Sequence, residues 1–193
     1  MANVFLDTGL LDKAIVFAVK AHRNTERRGK GFPYVVHLME AVEIVATMTS
    51  DQERLAAAML HDTVEDTDVT IEDIRHEFGE RIAALVNAET DSYPEGVSEE
   101  ASWKGRKEAA IHRLRNVSKE GKIVALGDKL SNMRAIARDF ARQGDGLWNI
   151  FHVKDKALHE WHYRALAEAL SDLQGTEAYS EFVALINRVF GEK

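Results

Sequence analysis

The stretch His61-Asp62-Thr63-Val64-Glu65-Asp66 follows an apolar run, Leu55 to Leu60, and no helix-breaking residue separates the two. The pattern predicts one helix that is buried at its start and acidic at its end. Adjacent side chains on a helix diverge by about 100°, yet a metal ion between His61 and Asp62 can still bind one nitrogen and one oxygen. The two acids that end the stretch each stand one turn beyond one of these candidate ligands. A solvated acidic helix end is the simpler alternative, because His-Asp pairs often arise by chance.

The composition limits the class of protein. The chain has 193 residues, of which 45% are hydrophobic and only two are proline, and this fits one folded, largely helical domain. Its formal net charge of -7 argues against a general nucleic-acid or membrane-surface binder. The absence of cysteine excludes disulfides, thiolate zinc sites and cysteine nucleophiles. We find no signal-peptide pattern and no apolar run of membrane-spanning length, so we expect a cytoplasmic, soluble protein.

Helix signals follow one another along the chain without any strand-like alternation. Asp51 and Ser98 are placed to cap helices, and Thr70 begins a sequence that resembles a capping box. An apolar helix is expected to begin near Lys122, and a loop is expected at residues 91–96. The sequence therefore predicts an all-α bundle of roughly eight to ten helices.

Two further polar residues lie within predicted apolar helices. His37 alone is more simply explained as a core histidine, whereas an aspartate such as Asp128 is rarely buried without a partner. With His61 and Asp62 they give two imidazoles and two carboxylates, which suit Mn²⁺, although Zn²⁺ or Fe²⁺ would also fit. Four protein ligands on an octahedral ion leave room for a water and a substrate oxygen, as metal-assisted hydrolysis requires.

A basic segment at residues 23–30 precedes His37 and is interrupted by Gly29. A solvated loop is the simpler interpretation. The alternative is an anion clamp, because guanidinium groups such as those of Arg27 and Arg28 can bind phosphate through two parallel hydrogen bonds. The concentration of positive charge in an acidic protein favours the clamp.

These residues, in this order, resemble the HD-domain phosphohydrolase superfamily, and within it the RelA/SpoT-type hydrolase domain. Residues 61–67 (HDTVEDT) are similar to its HD-x-x-EDT motif, and residues 128–134 (DKLSNMR) are similar to its D-[KR]-L-x-N-[ML]-R motif. Residues 33–37 (PYVVH) resemble its PY-x-x-H motif. Trp103 and residues 161–163 (WHY) resemble the stand-alone small alarmone hydrolases, the bacterial relatives of the metazoan SpoT homologue.

The resemblance implies an HD-type hydrolase domain at 1–193, with a motif-bearing core at about 22–163 and C-terminal helices at 164–193 packed on it. It implies hydrolysis of (p)ppGpp at the 3′-pyrophosphate with Mn²⁺, which releases pyrophosphate and GDP or GTP. It makes Glu65 and Asp66 the residues that position or deprotonate the attacking water. The implied metal ligands are His37, His61, Asp62 and Asp128. The implied substrate contacts are Arg27, Arg28, Asn132, Lys104, Arg106, Lys107, Lys154 and Tyr163.

Other functions compete with this one. The protein could be another nucleotide phosphohydrolase, either an NADPH 2′-phosphatase or a nucleoside monophosphate phosphatase. It could also be an alarmone sensor without a working metal site, but the paired acids Glu65 and Asp66 argue against a sensor. We expect a small nucleotide as the partner, with neither nucleic acid nor membrane, and a homodimer is left open.

Overall fold

The computed structural model describes residues 7–91, 96 and 98–192. Within these residues the chain forms ten α-helices, two 3₁₀-helices and one isolated β-bridge, and it contains no strand, so the all-α prediction is confirmed. The α-helices are α1 (Gly9–Ala21), α2 (Val35–Ala46), α3 (Gln52–Leu60), α4 (Thr63–Asp66), α5 (Ile71–Phe78), α6 (Glu80–Glu89), α7 (Glu99–Asn116), α8 (Lys119–Gln143), α9 (Lys156–Ala169) and α10 (Glu177–Phe190). The 3₁₀-helices are Gly144–Ile150 and Ser171–Leu173.

Helices α3 and α8 form the centre of the bundle. α3 packs against α1, α2, α6 and α8, and every residue from Leu55 to Leu60 is buried. α8 is 25 residues long and packs against α2 on one side and α10 on another. Because α2, α3 and α8 contact one another, polar side chains on these three helices can share one buried site.

A glycine allows α8 to approach α2 closely. A Cβ atom at Gly127 would lie 2.6 Å from Cγ2 of Val45 and 2.9 Å from the carbonyl oxygen of Ala41, both on α2. Contacts this short would force the two helices apart. Gly127 directly precedes Asp128, so the close approach also sets the distance between that carboxylate and α2.

Most helix ends agree with the sequence-based predictions. The Asp51 side chain accepts hydrogen bonds at the start of α3, the Ser98 side chain does so at the start of α7, and Thr70 and Asp73 form a complete capping box. The predicted start of α8 near Lys122 is wrong by one turn, because Ser118 accepts a hydrogen bond from the backbone of Gly121 and starts the helix earlier.

α10 packs on α8 and α9. Residues 92–95 of the loop predicted at 91–96 lie outside the described residues. No helix in the described part of the chain combines the length and the apolar character needed to cross a membrane.

Candidate active site

The stretch that was predicted as one helix is two helices that meet at the His-Asp pair. α3 ends at Leu60, and α4 begins at Thr63 with Asp62 as its N-cap residue. The single-helix prediction is therefore wrong. The physical reason is the backbone of Asp62, whose ψ of -1° departs from helical values. At this bend Oδ2 of Asp62 lies 2.9 Å from Nε2 of His61.

Four side chains from α2, the end of α3 and α8 converge at this bend. One ligand atom from each of His37, His61, Asp62 and Asp128 lies within 4.8 Å of the others. Nε2 of His37 is 3.4 Å from Oδ2 of Asp62 and 3.2 Å from Oδ1 of Asp128. The two imidazoles are almost fully buried. The structure thus brings together all four residues that the sequence identified as candidate metal ligands.

Hydrogen bonds orient both imidazole rings toward the centre of this cluster. Nδ1 of His61 lies 2.8 Å from the carbonyl oxygen of Ala58, which can only accept, so this nitrogen carries the proton. Nδ1 of His37 lies 2.8 Å from Oγ of Ser131, and that hydroxyl donates to Glu40 at 2.7 Å. In each neutral ring Nε2 is therefore the nitrogen with the free lone pair, as a metal ligand requires.

The cluster fits a divalent cation. Nε2 of His37 and Nε2 of His61 are buried and face the carboxylates of Asp62 and Asp128 at distances of 2.9–3.4 Å. Two imidazole nitrogens and two carboxylates that converge in this way form a suitable donor set for such an ion. Burial lowers the pKa of His61, but the carboxylates of Asp62 and Asp128 outweigh burial and hold it well above its ordinary value.

The two carboxylate oxygens of Asp128 have different neighbours. Oδ1 faces the histidines, and Oδ2 accepts a hydrogen bond from Nζ of Lys129 at 2.5 Å. Nζ of Lys129 also lies 3.2 Å from the side chain of Glu89. The Asn132 amide donates to Oδ1 and in turn accepts from the guanidinium of Arg27. Arg27 is thereby linked to the cluster through a single side chain.

The two acids that follow the His-Asp pair line a cavity beside the cluster. Glu65 accepts a hydrogen bond from the backbone N–H of Asp91 at 3.1 Å. Partial desolvation in the cavity, and then repulsion from the Asp62 carboxylate, raise the pKa of Asp66. A carboxyl group with a raised pKa is better suited to accept a proton near neutral pH than an ordinary aspartate is.

The cavity has a volume of about 300 Å³, and Asp62 and Asp128 form part of its lining. A second cavity of about 410 Å³ is lined by Arg27, Arg28 and Lys30 of the basic segment, and it shares Arg27 and several other residues with the first. Sites of this size accept small organic ligands. The four-residue cluster thus lies at a cavity that has both acidic and basic side chains in its walls.

A family model described as HD domain matches residues 14–154 of the chain, which include the whole four-residue cluster. The chain belongs to the HD-domain family. The recognition made from the sequence motifs is therefore confirmed.

This HD-domain protein is similar to named enzymes over most of its length. It is 31% identical to guanosine-3′,5′-bis(diphosphate) 3′-pyrophosphohydrolase MESH1 of Danio rerio, over 90% of this chain and 89% of that one. It is 32% identical to MESH1 of Homo sapiens, over 88% of this chain and 87% of that one. Guanosine-3′,5′-bis(diphosphate) 3′-pyrophosphohydrolase of Aquifex aeolicus is 32% identical over 65% of this chain, but the match spans only 18% of that protein.

Solved structures support the fold. The structure of a metazoan SpoT orthologue that hydrolyses ppGpp matches with a TM-score of 0.73 and 22% identity, over 96% of this chain and 98% of that one. At this identity the likeness concerns the fold alone. The structure of a Listeria monocytogenes protein matches with a TM-score of 0.71 and 26% identity, over 81% of this chain and 99% of that one.

The structure divides the expected substrate contacts into two groups. Arg27, Lys107, Asn132 and Tyr163 line the first cavity, and Arg28 lines the second. Lys104, Arg106 and Lys154 line neither cavity.

The face of α7 that turns toward the first cavity explains this division. Its lining residues on α7 are Trp103, Lys107, Ala110, Arg113 and Leu114, and Lys104 lies off this face. Arg106 is on the same side of the helix as Arg113 but does not line the cavity. The Arg106 side chain is buried, and its guanidinium lies 3.7 Å from the carboxylate of Asp91.

Several residues of the site were not identified as functional from the sequence. The Tyr34 hydroxyl donates to Oδ2 of Asp62 at 2.6 Å, and the proline-tyrosine motif could have identified it. Lys129 directly follows Asp128 and could have been found in the same way. No sequence pattern identifies Glu89 or Arg113 as a residue of the site, because tertiary packing brings both to the cavity.

Proposed function

We propose that this HD-domain protein is a metal-dependent (p)ppGpp 3′-pyrophosphohydrolase that releases pyrophosphate and GDP or GTP. The observation that carries the proposal is the buried cluster of two imidazoles and two carboxylates, which opens onto a cavity with paired acids. Relatives named for this reaction align with about nine-tenths of the chain, and they support the choice of substrate. Mn²⁺ is the ion that we propose, with Zn²⁺ or Fe²⁺ as alternatives.

In this proposal His37, His61, Asp62 and Asp128 hold the ion. The Lewis acidity that a bound cation supplies would act on the attacking water and on the scissile phosphate. Ser131 and the Ala58 carbonyl keep the two imidazoles in the tautomer that presents Nε2 to the site. Lys129 occupies the second oxygen of Asp128 and so turns the first oxygen toward the cluster.

In this proposal Glu65 and Asp66 orient and deprotonate the attacking water. The raised pKa of Asp66 suits it to take the proton of the attacking water. Glu65 is held by the Asp91 backbone and is therefore assigned to orient the water. Arg27 lies between the two cavities and is linked to the cluster through Asn132, so it can contact both the sugar-phosphate and the base of a nucleotide. Arg28 and Tyr163 are assigned to the side of the second cavity.

The function is tested by identifying the products. ppGpp, NADPH and a panel of nucleoside monophosphates are incubated with the protein and Mn²⁺, and free pyrophosphate and orthophosphate are measured separately. We expect stoichiometric pyrophosphate and GDP from ppGpp. Release of orthophosphate alone, from NADPH or from a monophosphate, would instead establish one of the alternative phosphatases.

Two further expectations accompany this proposal. We propose that residues 1–193 act as a single hydrolase domain in the cytoplasm. A homodimer stays a prediction, and sedimentation of the protein at several concentrations would test it.

A further inference from the structure

We propose that Arg113 and Lys107, both held by the carboxylate of Asp91, form a second anion subsite that binds the phosphates of the nucleotide that are not cleaved. The subsite would take the 5′-phosphates of a nucleotide whose 3′-pyrophosphate lies at the metal cluster. This inference rests on the proposed function for the identity of the ligand. Its test includes a measurement that does not depend on hydrolysis.

The subsite is organised around one buried acid. Nζ of Lys107 donates to Oδ2 of Asp91 at 2.9 Å, and Nη2 of Arg113 donates to Oδ1 at 2.8 Å. Nη1 of Arg106 lies 3.7 Å from the same carboxylate. The Asp91 side chain is only 7% exposed, whereas those of Lys107 and Arg113 are 25% and 37% exposed. The acid is thus inside the protein, and two of its cationic partners keep contact with solvent.

Cations outnumber carboxylates in the immediate surroundings of Asp91. Three cations lie within 4 Å of its carboxylate, and two of them, Lys107 and Arg113, line the cavity, whose wall also carries acids such as Glu65. Burial raises the pKa of Asp91, but Lys107, Lys129 and Arg113 together outweigh burial and the pKa is lowered, so the carboxylate is ionised at neutral pH. Guanidinium and ammonium groups are strong hydrogen-bond donors to phosphate oxygens, so this pair of cations can bind a phosphate group that enters the cavity.

A purely structural role would be to fasten α7 to the end of α6. Nη2 of Arg113 also donates to the carbonyl oxygen of Thr90 at 3.3 Å, which fits that role. Its Nε, however, is buried and has no hydrogen-bond partner in the described part of the chain, so fastening the helices leaves one donor unused. Structural guanidinium groups usually satisfy their buried donors. Arg113 and Lys107 also line the same cavity as Asp62 and Asp128 of the metal cluster.

The positions of the cations suggest two places for phosphate in one cavity. Arg27 belongs to the loop before α2 and is linked to Asp128 through Asn132. Arg113 and Lys107 lie instead on α7, at another part of the lining. The backbone N–H of Asp91 donates to Glu65, so the residue that holds the subsite also fixes one of the paired acids. A ligand with two separate phosphate groups would be placed between these points.

His162 supplies a neutral polar group in the same lining. Burial, together with the positive charges of Lys107 and Lys129, holds its pKa well below the ordinary value. The uncharged imidazole can form a hydrogen bond to a nucleotide without adding further charge. The subsite therefore selects for phosphate mainly through Lys107 and Arg113.

The first test compares two substrates. Steady-state kinetics are measured for the parent, Arg113→Ala and Arg113→Lys, with ppGpp and with guanosine 3′-diphosphate, which has no 5′-phosphate. We expect Arg113→Ala to raise KM for ppGpp about tenfold to a hundredfold, the scale of one charge-assisted hydrogen bond, with kcat nearly unchanged. KM for guanosine 3′-diphosphate should not move, and Arg113→Lys should recover part of the loss. An equal change with both substrates, or no change with either, would overturn the subsite.

The chain offers a matched control on the same helix. Arg115 is 50% exposed, pairs with Glu168 at 3.1 Å and does not line the cavity. Arg115→Ala removes the same charge from α7, and we expect it to leave both KM values at the parent level. If Arg115→Ala raised KM for ppGpp as much as Arg113→Ala does, a general charge effect would replace the subsite.

The second test measures binding without hydrolysis. GDP is titrated calorimetrically into the whole chain, with and without Mn²⁺, for the parent, Arg113→Ala, Lys107→Ala and Arg115→Ala. We expect both substitutions at the subsite to weaken GDP binding about tenfold or more under both conditions, and the control to bind as the parent does. Loss of GDP binding in a protein that does not cleave ppGpp would support the subsite and reject the proposed function. Cleavage of ppGpp with unchanged GDP binding in Arg113→Ala would reject the subsite alone.

Discussion

Ser131 and His37 lie on different helices, and Oγ of Ser131 accepts a hydrogen bond from Nδ1 of His37 at 2.8 Å. The same hydroxyl donates its proton to Glu40 at 2.7 Å, so it can only accept from His37. This arrangement fixes the tautomer of His37 and supports its free nitrogen as a ligand. Ser131 is thus a positioning residue for the proposed metal site, although it does not belong to the four-residue cluster.

The first prediction concerns this hydrogen bond. Ser131→Ala should lower the affinity for Mn²⁺ about tenfold to a hundredfold, because the imidazole loses its orienting partner. Calorimetric titration of metal into the metal-free protein measures the change. Ser180→Ala is the control, because this exposed hydroxyl donates to the carbonyl oxygen of Thr176, the N-cap residue of α10. Equal metal affinity in the parent and in Ser131→Ala would show that the contact does not orient His37.

The second prediction concerns pH. The pKa of His61 is raised by Asp62 and Asp128 in the metal-free protein, so its Nε2 carries a proton at neutral pH. A metal ion has to displace that proton, and affinity should therefore fall by about tenfold for each unit that the pH drops below the raised pKa. Calorimetry in buffers with different ionisation enthalpies counts the protons released. Binding without proton release at neutral pH would contradict the raised pKa.

The third prediction concerns packing. Gly127→Ala should lower the free energy of unfolding by about 1–3 kcal/mol, because the new methyl group would collide with Val45 and with the Ala41 carbonyl. Gly105→Ala is a matched control, since no atom lies within 4 Å of its added Cβ. We expect that control to be neutral or to stabilise α7 by up to about 1 kcal/mol. Urea unfolding of both variants tests the close approach of α8 to α2, and equal stability of the two would argue against it.

The fourth prediction separates the paired acids from the metal ligands. Glu65→Gln keeps the size of the side chain and removes its charge, so it should lower kcat by about 10²- to 10⁴-fold. Metal content should stay at the parent level, since Glu65 bonds to the Asp91 backbone and is not one of the four clustered ligands. Metal analysis and single-turnover kinetics of the same preparation measure both effects. Loss of the metal would assign Glu65 to the metal site instead.

The four residues of the cluster could be predicted from the sequence, because each of them belongs to a short, recognisable motif. The sequence missed the break between α3 and α4, because the apolar run contains no helix breaker and the bend depends on the backbone of Asp62. The sequence also does not predict contacts between residues that are far apart in the chain. Lys129 reaches Glu89, which lies 40 positions earlier, and only the packing of α6 on α8 brings them together.

Charged residues were predicted less well than the metal ligands. The sequence shows that Lys104, Arg106 and Lys107 are basic, but it does not show which face of α7 turns toward the cavity. The structure selects Lys107 from this group and adds Arg113, two turns further along. Positive charge in the sequence therefore predicts too many substrate contacts. The structure reduces them to the basic residues that line the cavity.

We propose that the cluster at the bend after α3 holds the metal ion required to cleave a 3′-pyrophosphate. This is tested most directly by measuring bound Mn²⁺ and pyrophosphate release from ppGpp for the parent and Asp128→Ala. Glu168→Gln serves as the control, because this exposed carboxylate pairs with Arg115 and is not part of the cluster. We predict that Asp128→Ala loses both the bound metal and the release of pyrophosphate while it keeps its helical circular dichroism, and that Glu168→Gln keeps all three. Full metal content and full pyrophosphate release in Asp128→Ala would contradict the account.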